Sequence, residues 1–458
     1  MLPAVMSSDA NTNLVDEIPI PAKIRRDMKA ACDLQFELKG KDLERLRVDL
    51  TSVRGGRVLD QIEGDIRDAR RHTYRTVLFS GHVGSGKTTE LRWLTRELEK
   101  EKEEERRCFH VLWVDALEYL DINSVQLPEF LVAVFNAMVE DPLLQPMVSL
   151  SKTARKLWNS VRGWLKGIGV DLDLDLLGGM AKLKAKVKTE FGLQKRIRET
   201  LHERVTELMS DLSDLLIDLR AGLAAQGVDD LVIIADNLEK IVFAELDHQG
   251  ARNTHDLFFI EQLPIVQQLH AHIILTVPVS LHFAHARLRQ VFLNPTVKVL
   301  PMVPVHEPGA PAKPHNRGIE VLKSLLSVRV DTSILFADDA AFTRAIELSG
   351  GVIRDLFRIV LESLSLKPAM GLTVADIEDG VKDIVSSYER MLQGKNYLPG
   401  LHEIAACSCF PVGFDEAARN ALLHSMVVLE YNGVTWYDVH PLARRTRAYA
   451  SARPAATA

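Results

Sequence analysis

The chain has 458 residues, of which 47% are hydrophobic and 26% charged, and its formal net charge is −6. This balance is typical of a soluble protein of roughly two to four domains, and it lacks the overall basic character of many nucleic-acid binders. No apolar run reaches the roughly 20 residues that span a bilayer, and the N-terminus lacks the order of a signal peptide. The four cysteines show no paired metal spacing. We therefore expect a cytoplasmic protein without membrane contact.

The first part of the chain predicts a helical segment followed by an α/β domain. Residues 1–72 are polar at first and then take a helical pattern in VLDQIEGDIRDARR. From residue 73 onward, short apolar runs alternate with helical patterns, and five strands are expected, in YRTVLFS, FHVLWVDALEYL, DDLVIIADNL, HIILTVPVSL and TVKVLPMVPV. Strands that alternate with helices indicate a parallel sheet covered on both faces. We assign 73–306 to this core.

An insertion at 145–190 breaks the α/β pattern. Its sequence VDLDLDLLGGMAKLKAKVK alternates strictly, and a turn at Gly178-Gly179 would place Asp175 opposite Lys182. Such cross-strand pairs stabilise a hairpin, so we predict a β-hairpin over 170–188. Apolar residues then recur at helical spacing between Phe191 and Ala225, which predicts one long helix that would cover the apolar face of the hairpin.

Two smaller domains are expected after the core. The proline- and glycine-rich stretch VHEPGAPAKPHN predicts a linker, and helical patterns in 312–370 predict a helical lid. The tail, 371–458, has further helical patterns and then two β-rich runs around Asn432-Gly433, a strong hairpin signal. Helices followed by a hairpin predict a winged-helix-like C-terminal domain.

The sequence GHVGSGKT matches the phosphate-loop pattern G-x-x-x-x-G-K-[ST] and lies directly between a predicted strand and a predicted helix. The backbone N–H groups of such a loop and the following helix N-terminus bind phosphates. Lys87 would reach the β- and γ-phosphates, and Thr88 would offer its hydroxyl to Mg²⁺. We therefore predict ATP and Mg²⁺ as cofactors, held by the loop residues Gly81, His82, Val83, Gly84, Ser85, Gly86, Lys87, Thr88 and Thr89.

The stretch LVIIADNLEK predicts the second half of this site at the end of a buried strand. Asp236 would hold Mg²⁺ together with Thr88. An ATP hydrolase usually has a glutamate directly after this aspartate, to orient the attacking water, but here the next residue is Asn237. Asparagine cannot accept a proton, although it can orient a water, so we expect slow hydrolysis. Glu239 could be a substitute base or a surface carboxylate beside Lys240.

Further candidate catalytic residues follow along the chain. Thr276, with Ser280 as the alternative, could contact the γ-phosphate or the water, or could simply cap its strand. Arg354 follows two glycines at the start of a lid helix, where it could sense the γ-phosphate or be a solvated charge. Arg287 and Arg289 precede the last strand, and they could act as arginine fingers in the site of a neighbouring subunit or be surface charges.

The order of these motifs resembles an AAA+ ATPase over roughly residues 45–445. The similarity is greatest to the origin-recognition and STAND-type branches, which occur in bacterial regulatory and defence proteins, and FSGHVGSGKTTEL is similar to the loop of certain bacterial AAA-type ATPases. The resemblance implies a sheet ordered 5-1-4-3-2, ATP between core and lid, and assembly into a homo-oligomer. STAND-type sites often place an acidic residue near the position of Glu239.

Three functions are compatible with these features. The first is an ATP-controlled assembly switch in a bacterial regulatory or antiviral defence system, with a separate effector protein. The alternative is a DNA-directed ATPase that binds duplex through its C-terminal domain, which contains the arginine-rich sequence HPLARRTRAYASAR. A third is membrane contact by SKTARKLWNSVRGWLKGIG, although docking of this amphipathic helix on the core is favoured.

Overall fold

The computed structural model describes residues 13–100, 107–170, 172, 175–189, 191–246, 253–284, 288, 290–292, 297–431 and 435–452. The chain divides into two compact units. The first is built from Leu59–Ser80 and Leu94–Lys298, and the second from Ser8–Val58, Gly81–Trp93 and Val299–Ala458. The phosphate loop therefore belongs to the same unit as the predicted lid and tail, a grouping that the sequence pattern did not indicate.

A five-stranded sheet with helices around it forms the α/β core. Its strand order is β2-β3-β4-β1-β5, which confirms the predicted order 5-1-4-3-2, and the pairs β2–β3, β3–β4 and β4–β1 are parallel. Every residue of β3 and β4 is buried, as expected for strands covered on both faces. The strands are β1 Thr76–Ser80, β2 Phe109–Asp115, β3 Asp230–Asp236, β4 His272–Val277 and β5 Val297–Val299.

The register of the sheet brings the predicted strand-end residues to one edge. Asp115 of β2 lies beside Asp236 of β3, and Phe79 of β1 lies beside Thr276 of β4. The chain runs from the carboxyl end of β1 directly into the phosphate loop. This is the edge of a parallel α/β sheet at which ligands bind.

The helices, in chain order, are α1 Leu14–Glu17, α2 Arg25–Ala31, α3 Gly40–Leu46, α4 Val58–Arg67, α5 Lys87–Leu98, α6 Ala116–Tyr119, α7 Leu127–Glu140, α8 Gln145–Leu150, α9 Lys152–Lys166, α10 Leu176–Thr189, α11 Phe191–His202, α12 Val205–Ala225, α13 Asn316–Ser327, α14 Thr332–Leu335, α15 Asp339–Leu348, α16 Ile353–Leu366, α17 Val374–Gly380, α18 Lys382–Leu392, α19 Leu398–Cys407, α20 Glu416–His424 and α21 Arg447–Ser451. In the first unit, α7 and α12 pack on β2 and β3, and α9 packs on α12.

The predicted β-hairpin over 170–188 is wrong, because α10 occupies the position of its turn and second strand. Asp175 caps the helix by accepting a hydrogen bond from the N–H of Gly178 at 2.9 Å, so it is no cross-strand partner of a lysine. Met180 and Leu183 are buried at helical spacing. Gly179 allows a close approach of α9, since a Cβ there would lie 2.1 Å from the Trp158 ring.

Two other predictions for this region have definite outcomes. The long helix after the insertion is interrupted between His202 and Val205, which gives α11 and α12. The amphipathic helix α9 docks on the core as expected, with Leu157, Trp158 and Leu165 buried. No helix among the described residues is long and apolar enough to cross a membrane.

The second unit contains helices and two antiparallel strand pairs. β6 His306–Glu307 and β7 Ala310–Pro314 pair within the stretch that was predicted to be a linker. β8 Val428–Tyr431 and β9 Trp436–Val439 pair on either side of the predicted Asn432-Gly433 turn, which itself lies outside the described residues. The β8–β9 hairpin follows α19 and α20, so the elements of the tail have the order that the winged-helix prediction requires.

Candidate functional site

The phosphate loop curls around its own lysine. Gly84 and Gly86 have φ angles of +81° and +93°, which side chains rarely adopt, so the glycines of the motif are needed for this backbone. Helix α5 begins at Lys87, whose ammonium group donates to the carbonyl oxygens of Gly81 at 2.8 Å and His82 at 3.0 Å. A phosphate bound by this loop would compete with these carbonyls for the ammonium group.

The second residue of the loop, His82, is anchored in the C-terminal part of the second unit. Its Nδ1 lies 3.1 Å from the carbonyl oxygen of Leu423 in α20, and its Nε2 accepts from the N–H of Glu430 in β8 at 2.8 Å. One donor and one acceptor match a neutral imidazole with the proton on Nδ1. Burial, reinforced by the nearby charge of Lys87, lowers the pKa of His82 to about 3, so the ring stays neutral.

Arg354 reaches the phosphate loop from the start of α16. Its backbone N–H donates to the carbonyl oxygen of Gly84 at 3.3 Å. A Cβ on Gly84 would lie 2.7 Å from the Cβ of Arg354, so the two segments are in direct contact. The structure therefore brings together Arg354 and the predicted phosphate loop. Arg354 is partly exposed.

The turn before α16 is itself held by the C-terminal hairpin. Gly351, with φ +79°, passes so close to Val303 that a Cβ would lie 1.7 Å from the Val303 carbonyl oxygen. The hydroxyl of Tyr431 in β8 donates to the carbonyl oxygen of Gly350 at 2.7 Å. The hairpin thus contacts the loop, because the backbone N–H of Glu430 bonds the His82 side chain. The hairpin also supports the turn that precedes Arg354.

An arginine that sequence analysis missed also supports the loop. Arg54, 2% exposed, donates to the carbonyl oxygen of Ser85, and burial lowers its pKa to about 10. Glu90 of α5 accepts from Arg47 at 2.7 Å and lies 4.0 Å from Arg54. No sequence signal links Arg54 to the loop, because the contact depends on how the N-terminal segment folds back.

At the carboxyl edge of the first unit's sheet, Asp236 is fully buried at the end of β3, and Asn237 follows in a left-handed conformation with φ +64°. The Asn237 side chain donates to Asp115 Oδ1 at 2.8 Å. Asparagine tolerates this backbone conformation better than other non-glycine residues do. The residue that replaces the usual glutamate is therefore fixed by the shape of the turn as well as by its side-chain bond.

Two further candidate residues, Thr276 and Glu239, belong to the surroundings of the segment after β3. The hydroxyl of Thr276 accepts from the N–H of Leu238 at 3.0 Å and donates to the carbonyl oxygen of Ala235 at 3.3 Å, so it fixes the segment after β3. Glu239 lies in the short 3-10 helix Leu238–Lys240 and is only 5% exposed, so its interpretation as a surface carboxylate is wrong. Ser280 is also buried.

Val83, Thr88 and Thr89 are partly exposed on the loop and the first turn of α5. Arg287 and Arg289 lie outside the described residues, so their role as arginine fingers stays a prediction.

The residues present suit ATP and Mg²⁺ on chemical grounds. Gly84 and Gly86 of the loop have left-handed backbones, and Lys87 and Thr88 are the first residues of the twelve-residue helix α5. Asp236, at the end of β3, has a buried carboxylate. Backbone N–H groups and a lysine are phosphate ligands, and hydroxyl and carboxylate oxygens are ligands of Mg²⁺.

Comparison with known proteins gives distant structural likenesses. No family model and no curated protein matches the chain. A Walker-type ATPase of Pyrococcus abyssi is 14% identical, with 91% of this chain and 99% of that chain covered and a TM-score of 0.43. The ORC2 protein of Aeropyrum pernix, solved in ADPNP-ADP complexes, is 12% identical, with 97% and 98% covered and a TM-score of 0.39. Cdc6p of Pyrobaculum aerophilum is 10% identical, with 93% and 97% covered and a TM-score of 0.39.

The TM-scores of these three structures are all below 0.5. The assignment of an α/β P-loop fold rests instead on the strand order and on the loop that follows β1.

Proposed function

We propose that this protein is an ATP-binding ATPase of the AAA+ type that acts as a nucleotide-controlled assembly switch. Its homo-oligomer would form in the ATP state and act on a separate effector protein in a bacterial regulatory or antiviral defence system. The assignment to AAA+ and to such systems rests on the sequence resemblance. The switch rests on the geometry of the second unit.

The observation that carries the switch is the attachment of His82 to Leu423 and Glu430. A ligand shifts a conformational equilibrium only through contacts that differ between the two states. The phosphate loop is the segment that would contact the nucleotide, and one of its side chains is bonded to the C-terminal hairpin. A change of the loop on ATP binding would therefore alter the position or the stability of the hairpin.

Within this proposal, the individual residues have distinct roles. Lys87 and the loop N–H groups bind the phosphates, Thr88 and Asp236 hold Mg²⁺, and Arg354 senses the γ-phosphate from α16. Thr276 positions the segment that contains Asp236, because its hydroxyl bonds main-chain groups of Leu238 and Ala235.

The geometry after β3 supports the proposal of slow hydrolysis. Asn237 has no basic group, and its amide is bonded to Asp115. Glu239 is the nearest carboxylate in sequence that could assist, but it is buried in the 3-10 turn. Loss of general-base assistance typically lowers a rate about 10²–10⁴-fold. The ATP state would consequently be long-lived, which suits a switch.

Mass photometry with and without ATP and Mg²⁺ tests this function. We expect ATP to increase the mass of the wild-type assembly and Lys87→Ala to remove this response, with thermal unfolding as the check that the variant folds. Lys195→Ala, at an exposed position on α11, is the matched control and should respond like the wild type. An unchanged mass in saturating ATP would contradict the assembly switch.

The DNA-directed alternative has weaker support in the structure. Arg444 is paired with Asp438 and Arg445 with Glu378, and Arg453 lies outside the described residues. Arg444 and Arg445 are thus partly neutralised. Duplex DNA retention that falls steeply with salt would favour the alternative, since phosphate contacts release counterions.

A further inference from the structure

A cleft of about 750 Å³ lies at the amino edge of the first unit's sheet, opposite the edge that contains Asp236. One wall comes from residues just before or at the starts of strands, including Tyr74, Arg107 and Asp230. The other wall is the C-terminal half of α12, and Arg71 lies in the turn before β1. We call this the amino-edge cleft. Its volume is within the range of small-molecule sites, about 300–1,000 Å³.

Two arginines of the amino-edge cleft are oriented by one buried carboxylate. Asp230, 3% exposed, accepts from Arg220 Nε at 2.6 Å and Nη2 at 3.2 Å, and Arg107 Nη2 lies 3.5 Å from it. The Arg220 guanidinium stacks on Tyr74 at 4.8 Å, and that of Arg107 on the ring of Phe109 at 4.9 Å. Both side chains are therefore fixed before any ligand arrives.

The charge of the cleft is net positive. Arg71 adds a third, exposed guanidinium, and the carboxylates that line the cleft are Asp229 and Asp230. Asp229 is engaged with the main chain, since its Oδ2 accepts from the N–H of Cys108 at 2.9 Å. Arg220 has five N–H donors and directs only some of them to Asp230, so donors remain for an anion. Planar arginines held in this way suit phosphate groups.

The wall of the cleft that α12 forms is apolar. Ile217 is 47% exposed there, and Ala221 and Ala224 are also exposed beside it. An apolar strip that faces a cationic wall suits a ligand with one anionic end and one flat or apolar body.

The turn at the mouth of the cleft has an unusual backbone. His72 has φ +64°, a conformation that non-glycine residues adopt infrequently, and the turn is closed by a bond from the N–H of Thr73 to the carbonyl oxygen of Arg70. Such conformations cluster at binding sites. The turn presents Arg71 to the cleft.

We propose that the amino-edge cleft binds a small phosphate-bearing ligand of nucleotide size. Its phosphate would be held by Arg71, Arg107 and Arg220, and its body would lie against Ile217 and the two alanines. The site would be separate from the phosphate loop. It does not depend on the proposed ATP-driven assembly.

Isothermal titration calorimetry on the full-length Lys87→Ala variant tests this site with the phosphate loop disabled. The probes are inorganic phosphate, AMP and adenosine. We expect saturable binding of phosphate, binding of AMP about tenfold tighter because of the apolar wall, and no binding of adenosine. Absence of saturable binding by both anions would overturn the proposal. Because Lys87→Ala already removes ATP from the loop, this result is independent of the assembly test.

Two neighbouring charge reversals locate the bound AMP. Arg71→Glu should weaken AMP binding about tenfold or more, as expected for the loss of a charge-assisted contact. Arg70→Glu changes the same charge in the same turn but does not line the cleft, and it should leave the affinity within about twofold. Equal losses in both variants would show general charge attraction and overturn the proposal. Duplex DNA that binds and is lost only in Arg71→Glu would assign the cleft to nucleic acid, which also overturns it.

Discussion

The phosphate loop and the carboxyl end of β3 are both candidate nucleotide-binding segments, but they are held in place by different kinds of contact. The loop is held by residues far away in the sequence, namely Arg54, Leu423 and Glu430. The segment from Asp236 to Lys240 is held by the neighbouring strands, through Thr276 and Asp115.

This difference indicates which segment can transmit a signal. The strand end is fixed by the sheet, whose register leaves little freedom. The loop is bonded to a hairpin that is distant in the sequence, so we propose that a change in the loop alters this hairpin. Four predictions test this contrast, beginning with the largest expected effect.

Removing the anchor of the loop should destabilise the second unit most. His82→Leu keeps a similar volume but leaves the carbonyl of Leu423 and the N–H of Glu430 buried without this partner, at about 1–3 kcal/mol each. We expect a loss of about 2–5 kcal/mol in the free energy of unfolding, measured by chemical denaturation. His82→Gln, which can donate and accept, should lose less. Equal losses for Leu and Gln would show that packing, and not the hydrogen bonds, holds the loop.

Crowding the contact between loop and lid should weaken ATP binding. Gly84→Ala combines a strained φ with a Cβ only 2.7 Å from Arg354, and overpacking of this kind costs about 1–3 kcal/mol. We expect ATP affinity in equilibrium dialysis to fall about tenfold. Gly394→Ala is the control, because Gly394 has a similar φ of +73° and no atom within 4 Å of its added Cβ. If Gly394→Ala weakens ATP binding equally, the loop–lid contact is not responsible.

Restoring the usual glutamate at position 237 should not accelerate hydrolysis. Glutamate is strained at φ +64°, at a cost of about 1–2 kcal/mol, and its carboxylate would meet Asp115 in place of an amide that donates at 2.8 Å. We expect Asn237→Glu to be less stable and to show no gain in single-turnover rate. Asn237→Gly relieves the backbone constraint and serves as the control. A rate increase above tenfold in Asn237→Glu would show that the missing base alone limits hydrolysis.

The last of the four predictions concerns pH. The pKa of His82 is lowered to about 3 by burial and by Lys87, whereas an unfolded histidine has a pKa of about 6.5. Between these values the unfolded state binds more protons, so this group's contribution is fully present above pH 6.5 and is lost as the pH falls towards 3. The free energy of unfolding of wild type should therefore fall more steeply below pH 6.5 than that of His82→Gln. Parallel curves would contradict a buried neutral His82.

The α/β core was predictable because its signals are local and strong. The five apolar runs predicted the strands, and the phosphate-loop motif predicted the start of α5. The strand order was implied by the resemblance to AAA+ ATPases. The hairpin at 170–188 was mispredicted because alternating Leu and Lys satisfy a strand pattern, while Leu, Met, Ala and Lys are also good helix formers. The close contact between Gly179 and Trp158, which favours the helix, joins segments that no local pattern connects.

The candidate site could likewise be predicted only as far as local sequence motifs reach. Lys87, Asp236 and Arg354 were singled out from motifs, and the structure places them at the start of α5, at the end of β3 and beside Gly84. The anchoring of His82, the support from Arg54 and the left-handed turn at Asn237 depend on contacts between distant segments, and single-sequence patterns do not encode such contacts.

The central claim is that ATP at the phosphate loop alters the C-terminal hairpin through His82. Hydrogen–deuterium exchange of the β8 segment Val428–Tyr431, with and without ATP and Mg²⁺, tests it most directly. We predict that ATP changes the exchange of the Glu430 amide, which donates to His82, and that Lys87→Ala abolishes the change. Identical exchange of β8 in the two states, with ATP shown to be bound, would contradict the account.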